Sequence, residues 1–177
     1  MSRATFYTAC SLDGFLATED DSLDWLFRQR IDEDGPMNHG AFMAGVGALV
    51  MGATTYAWVV DHGERTGEPW AYTVPTWVVT HRQFPPTEND VRFVSGDVES
   101  WWPGVVDSAG DREIWVVGGG DLAGQIADAG HLDRMLVQYA PVTLGSGRPL
   151  LPRVQDFALV DVVRNQDFVC AEFAVVR

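Results

Sequence analysis

Short apolar runs alternate along the chain with segments whose apolar residues recur at helical spacing, and this pattern predicts strands separated by helices. Thr5-Phe-Tyr-Thr-Ala-Cys10 reads as a first, central strand, Ala48-Leu-Val-Met51 as a second, Thr76-Trp-Val-Val-Thr80 as a third and Val91-Arg-Phe-Val-Ser95 as a fourth. Ile114-Trp-Val-Val117 and Met135-Leu-Val-Gln-Tyr139 continue the series. Between them, Ser22 or Asp24 can cap a short helix through Phe27, and Gly35-Pro36 can open another through Val46. A third helix follows Thr54-Thr55 as far as Val60, with Asp61 to Val74 read as loop. Asp97 can cap a helix holding Trp101 and Trp102, which Pro103 is expected to kink or restart. Phe157 to Arg164 and Phe168 to Val176 alternate partially around Asn165-Gln166-Asp167, as an antiparallel hairpin does. The fold class expected is three-layer α/β: a mixed, mostly parallel central sheet with helices on its faces and a C-terminal antiparallel hairpin. Ligands of such folds bind outside the carboxyl ends of the parallel strands.

Two strand-to-helix junctions carry the candidate chemistry. In Val117-Gly-Gly-Gly-Asp-Leu122, Gly118, Gly119 and Gly120 let the backbone approach a ligand while the first free N–H groups of the following helix point out of the turn. Such a place suits a pyrophosphate, and the plain alternative is a tight turn with no ligand. The match of Gly118, Gly120 and Ala123 to G-x-G-x-x-A does not make a Rossmann domain, because the turn falls in the last third of the chain and no acidic residue follows at the ribose position. Gly52-Ala53-Thr54-Thr55 is a second junction of the same kind, its threonines available as caps or as phosphate donors. His81-Arg82 sets a basic pair at the end of the third strand, and Asp13-Gly14 marks a turn after the first.

Composition narrows the partners. The chain of 177 residues is read as one domain, 1–177, and a net charge of −13 opposes a nucleic-acid partner while leaving room for a small anionic cofactor at a local positive site. Cys10 and Cys170 lie far apart, no secretory signal is seen and no apolar run reaches membrane-spanning length, so a cytoplasmic protein is expected. His39, His62, His81 and His131 lack metal-ligand spacing, and Leu144-Gly-Ser-Gly-Arg148 has its glycines at the wrong offsets for a nucleophile elbow.

Six blocks in order, Ser11-Leu-Asp-Gly-Phe-Leu-Ala17, Ser22-Leu-Asp-Trp-Leu26, Met51-Gly-Ala-Thr-Thr-Tyr56, Val79-Thr-His-Arg82, Val117-Gly-Gly-Gly-Asp-Leu122 and Ala140-Pro-Val-Thr-Leu-Gly-Ser-Gly147, span nearly the whole chain. Together they resemble the dihydrofolate-reductase-like superfamily and, within it, the riboflavin-biosynthesis reductase domain and its stand-alone relatives. The resemblance implies an NADPH-dependent reductase, a homodimer, with the cofactor across the strand ends. It places Gly52, Ala53, Thr54 and Thr55 at a pyrophosphate-side helix start, and Thr80, His81 and Arg82 at the adenosine side. Gly118, Gly119, Gly120, Asp121 and Leu122 fall at the second pyrophosphate turn, and the loop from Leu12 through Gly14 to Ala17 over the nicotinamide. Trp25 and, more weakly, Tyr56 are the candidate rings facing substrate, and Asp13 is the one acidic candidate for catalysis.

Departures from the family pattern bear on substrate. Ala53 stands where dihydrofolate reductases carry a basic residue for the 2′-phosphate, a role open to His81 and Arg82. Arg30 falls near their pterin-binding carboxylate, so folate reduction would need Asp32 or Asp34 in the site. Val117 replaces the Glu usual before the glycines of riboflavin-pathway reductases, and their Asp-Asp-Pro segment is missing. The expected function is hydride transfer to a small polar heterocycle, pterin-like or like 5-amino-6-(5-phosphoribosylamino)uracil. The alternatives are a non-catalytic nucleotide-binding module of the same fold and a true dihydrofolate reductase.

Overall fold

The computed structural model describes residues 2–177. In chain order the elements are β1 (Ala4–Cys10), β2 (Phe15–Ala17), α1 (Asp24–Phe27), α2 (His39–Ala44), β3 (Val46–Gly52), α3 (Ala53–Thr66), β4 (Thr76–Val79), β5 (Val91–Val94) and α4 (Val98–Ala109). They continue as β6 (Glu113–Gly118), α5 (Gly120–Asp128), β7 (Arg134–Tyr139), β8 (Arg148–Pro149), β9 (Phe157–Asn165) and β10 (Phe168–Val175). Eight strands form one sheet in the order β5-β4-β3-β6-β1-β7-β10-β9. The first six are parallel, and the C-terminal hairpin adds its two strands antiparallel at one edge. β1 therefore lies inside the sheet, between β6 and β7.

Period-two alternation sorts the side chains into two layers of core. Phe6, Cys10, Val50, Val116 and Val137 face α4 and α5, where Trp101, Trp102, Val105 and Ile126 complete the larger cluster. Tyr7, Leu49, Trp115 and Leu136 face the other way, against Phe42 and Met43 of α2. Met51 and Val78 pack on that same side with Tyr56 and Val60 of α3. β3 is buried along nearly its whole length, which is why it reads as an unbroken apolar run.

Four expectations about elements change. α4 runs unbroken through Pro103: the proline forfeits one backbone hydrogen bond, and burial of Val98, Trp101, Trp102 and Val105 on both sides of it holds the helix. α3 continues past Val60 to a left-handed cap at Gly67, its last two turns polar because they face water. The helix expected from Pro36 starts only after Asn38, whose side chain accepts from Ala41 N at 2.7 Å. Gly35 lies instead against Asn165, whose amide bonds the backbone of Asp32 and Pro36. Phe15–Ala17, read as turn and loop, is a strand paired with Arg148–Pro149.

Candidate functional site

β3 and β6 are neighbours in register, Met51 opposite Gly118, so both glycine junctions come to the same rim of the sheet, side by side. At one, Gly52 is the N-cap of α3; at the other, Gly119 is the N-cap of α5. Neither cap has a side-chain hydrogen bond, so the first N–H groups of Ala53, Thr54 and Thr55, and of Gly120, Asp121 and Leu122, have no side-chain acceptor within the helix start. The positive ends of two helices thus adjoin.

The glycines differ in what their missing side chains allow. A Cβ on Gly119 would meet open space, and one on Gly118 would stand 3.5 Å from Thr55 Oγ1, in the gap between the two corners. A Cβ on Gly52 would lie 3.9 Å from the Gly118 carbonyl and Gly119 nitrogen. Bare backbone at these positions leaves the space in front of the two helix starts open. Gly120 serves packing: a Cβ there would come within 3.0 Å of the Pro149 and Leu150 backbone.

The peptide bond between Gly118 and Gly119 is cis. Leu122 is buried, and the Asp121 carboxylate is turned along its helix, accepting from Gln125 Nε2 at 2.8 Å and Arg153 Nη2 at 2.9 Å. The Gln125 hydrogen bond and then the Arg153 guanidinium hold its pKa below the ordinary carboxylate value. What Asp121 offers a ligand is its main-chain N–H.

Gly52 pairs with Val79 of β4, which carries Thr80, His81 and Arg82 to the flank of the same rim. Thr80 Oγ1 accepts from Arg82 N at 2.8 Å. The His81 and Arg82 side chains are exposed and, among the described residues, form no hydrogen bond or ion pair. By contrast Arg30, Arg92, Arg134, Arg148, Arg153 and Arg177 are each paired with a carboxylate.

Leu12 to Ala17 leaves β1 on this rim and is stitched to the 141–150 connection. Leu12 N donates to Val142 O and Leu150 N to Gly14 O, both at 2.8 Å. Asp13 accepts from Leu144 N at 3.0 Å, Gly145 N at 2.7 Å and Ser11 Oγ at 2.6 Å. The Ser11 hydroxyl and then the two amides lower its pKa to about 2. Asp13 is therefore a clasp between two loops. Gly147 closes the same seam, since a Cβ on it would run into the Ala17 carbonyl.

The two rings expected at the substrate are both buried. Trp25 packs with Ala140, Phe168 and Cys170 and donates Nε1 to Ser22 O at 3.2 Å. Tyr56 lies against Met51 and Val78, with its edge on a cavity beside α3. The rings left facing open space are others: Phe27, 60% exposed, stands 6.0 Å from Trp58, which stacks on His62 at 4.7 Å and 12°. Trp58 and His62 are four residues apart on α3, a pairing visible in sequence only if the helix is carried beyond Val60.

Arg30 is held in a bidentate pair with Asp167, and Asp32 Oδ1 accepts from Asp34 N at 3.0 Å. The Asp32 and Asp34 residues are exposed. Among the described residues no group of three metal-ligating side chains is gathered, and no helix is long and apolar enough to cross a membrane.

A Bacillus subtilis (strain 168) protein, the uncharacterized YwjB, is 29% identical over 152 residues, 85% of this chain and 83% of that one. The crystal structure of a putative riboflavin biosynthesis protein from Shewanella sp. PV-4 superposes with a TM-score of 0.80, at 23% identity over the full length of both. The Thermotoga maritima diaminohydroxyphosphoribosylaminopyrimidine deaminase/5-amino-6-(5-phosphoribosylamino)uracil reductase superposes at 0.68 with 15% identity, over 99% of this chain and 57% of its own. The family model of the RibD C-terminal domain matches residues 4–167, and with the parallel sheet, the terminal hairpin and the paired glycine corners in place, the chain belongs to that family.

Proposed function

We propose that the protein is a one-domain cytoplasmic reductase that binds NADPH along the carboxyl rim and reduces a C=N or C=O bond of a small polar heterocycle. The observation that carries this is the pair of adjoining, uncapped helix N-termini opened by Gly52, Gly118 and Gly119. Main-chain N–H groups of both helices hold the diphosphate, and Arg82 with His81 holds the 2′-phosphate. The Leu12–Ala17 loop, fixed by the Asp13 clasp, keeps water from the nicotinamide. NADPH, when bound, would supply a hydride for the electrophilic carbon, being oxidised to NADP+, and the adjoining nitrogen or oxygen would take a proton from water.

A nucleotide-binding protein without turnover is the second reading, favoured by Val117 in place of a carboxylate and by the engagement of Asp13 with Ser11, Leu144 and Gly145. Folate reduction finds no support in the pairing of Arg30 with Asp167 or the exposure of Asp32 and Asp34.

Titrating NADPH while following tryptophan emission tests the cofactor claim. Gly119→Ala should fold normally yet bind NADPH at least about tenfold more weakly, since its methyl would stand in the open space beside the α5 start where the diphosphate is proposed to lie. Unchanged affinity would remove the diphosphate from this rim. Steady NADPH oxidation with a dihydropterin or with the riboflavin-pathway pyrimidine separates the two readings.

For assembly, the long edge strand β9 exposes Leu159, Val160 and Val162 beside Val169 of β10, and we assign this face to a homodimer. Val160→Lys should shift the sedimentation coefficient to the monomer value.

A further inference from the structure

β1 pairs with β6 only as far as Phe6 opposite Val116, yet keeps to β7 until Cys10 opposite Tyr139. Past Phe6, β1 and β6 therefore part. Tyr7 and Trp115 are buried on the α2 side of the sheet. Ala9 and Val117, one step further along on the same face, are only half-buried although both sit on interior strands. Ala9 is in register with Gln138 of β7, so Gln138, Ala9 and Val117 form a floor across three strands. Val117 immediately precedes Gly118, and Ala9 lies just before the Leu12–Ala17 loop, so the floor adjoins the part of the rim where the nicotinamide is proposed to lie.

α1 reaches across this floor. Trp25 is anchored on Ala140, Phe168 and Cys170, at the β7 and β10 side. Two residues on, the Phe27 ring stands 6.0 Å from both Trp58 and His62 of α3, the helix that leaves β3. β1 and β6 lie between β7 and β3 in the sheet, so the contact bridges their ends.

The polar side chains around the floor are engaged, with one exception. Tyr7 donates its hydroxyl to Met37 O at 2.9 Å, and Trp115 donates Nε1 to Tyr7 O at 2.9 Å. Gln138, 7% exposed, donates Nε2 to Met37 O at 3.0 Å, and that carbonyl fixes which end of the amide is nitrogen. The Gln138 Oε1 takes no hydrogen bond from the described residues. None of their fully buried polar side-chain atoms lacks a partner, so this oxygen borders open space. Neither the floor nor the bridge contains a carboxylate or a guanidinium. A single neutral acceptor beside the apolar Ala9 and Val117 matches a ring N–H, whereas an anionic group laid there would be desolvated without a partner.

We infer that Gln138 and Val117 select the acceptor of the proposed reduction: a flat, neutral heterocycle that rests on Ala9 and Val117, donates a lactam N–H to Gln138 Oε1 and carries neither phosphate nor carboxylate. The word acceptor rests on the reductase reading; the selection of a neutral N–H ring does not.

The probes are quinazolin-4(3H)-one, which has one such N–H, its N3-methyl derivative and its 6-carboxylate, each titrated calorimetrically into the full-length protein with and without saturating NADP+. The parent compound should bind at least about tenfold more tightly than either derivative. Gln138→Leu should bring the N3-methyl compound within about twofold of the parent. If that variant does not fold, Val117→Glu decides: its carboxylate should weaken the parent at least about tenfold and favour 2-aminoquinazolin-4(3H)-one, whose amine and ring N–H it can accept. Equal or tighter binding of either derivative overturns the inference, as does failure of the parent to bind in either state or a preference that survives the substitution. Failure of NADP+ alone to bind sinks the reductase reading and leaves the ring site to the titrations without nucleotide.

Discussion

The two rims of the sheet are built on opposite principles. At the amino rim the charged groups around Arg134 engage one another: Arg134 bridges Glu113 at 3.1 Å, Glu172 at 2.8 Å and the Thr5 hydroxyl at 2.9 Å, while Thr5 donates to Glu113. Asp133 alongside takes Ala4 N at 2.8 Å and Arg177 at 2.9 Å. At the carboxyl rim two helix N-termini and the Arg82 guanidinium stand without such partners among the described residues. The cluster at one rim satisfies its polar groups from within the chain and ties neighbouring strands together; the other rim leaves main-chain donors and a guanidinium open.

If that division holds, substitutions of the polar groups at the two rims should separate stability from binding, while Gly120, a packing position at the carboxyl rim, should affect stability. The largest effect is expected from Gly120→Ala, the packing member of the glycine triplet, which should cost about 3 kcal/mol in urea unfolding because the Pro149–Leu150 backbone cannot retreat as a side chain would. Arg134→Ala comes next. It strands two carboxylates whose side chains are 18% and 23% exposed, and should cost about 2–3 kcal/mol, less than a fully buried pair, with NADPH affinity unchanged.

Arg82→Ala should do the reverse, leaving the unfolding midpoint in place and weakening NADPH by about tenfold with no effect on NADH, as expected for one charge-assisted contact. Equal losses for both nucleotides would move the 2′-phosphate elsewhere.

The smallest effect concerns the clasp. The Asp13 pKa is lowered from 3.8 to about 2, so its contribution is complete above pH 3.8 and disappears as pH falls through about 2. Asp13→Ala should speed amide exchange at Leu144 and Gly145 by roughly an order of magnitude at neutral pH, with the rest of the sheet unaffected.

The layered fold and the glycine corners are legible in the sequence because both are local. Apolar β-branched runs announce β3, β4 and β6, and glycine at a strand end announces a corner that bare backbone must line. What stays hidden depends on partners far along the chain. Arg30 reads as a substitute at a ligand position until Asp167, 137 residues away, is seen to hold it. Trp25 reads as a cleft ring until Phe168 and Cys170 are seen to cover it. β2 is three residues long and exists because Arg148–Pro149 comes back to pair with it, so no periodicity could have shown it. The Trp58–His62 stack stays hidden for a simpler reason: His62 lies beyond Val60 on the polar end of α3, which looks like loop when its exposed face is taken for the whole.

The seam at Gly147 has a consequence for transplantation. Because the Ala17 carbonyl occupies the place a side chain at 147 would need, the loop over the rim and the strand-to-strand connection behind it are cut to one another's outline. A chimera that imports either segment from a relative with a bulkier residue at that point would have to import its companion too, or the graft would be pushed off its seat.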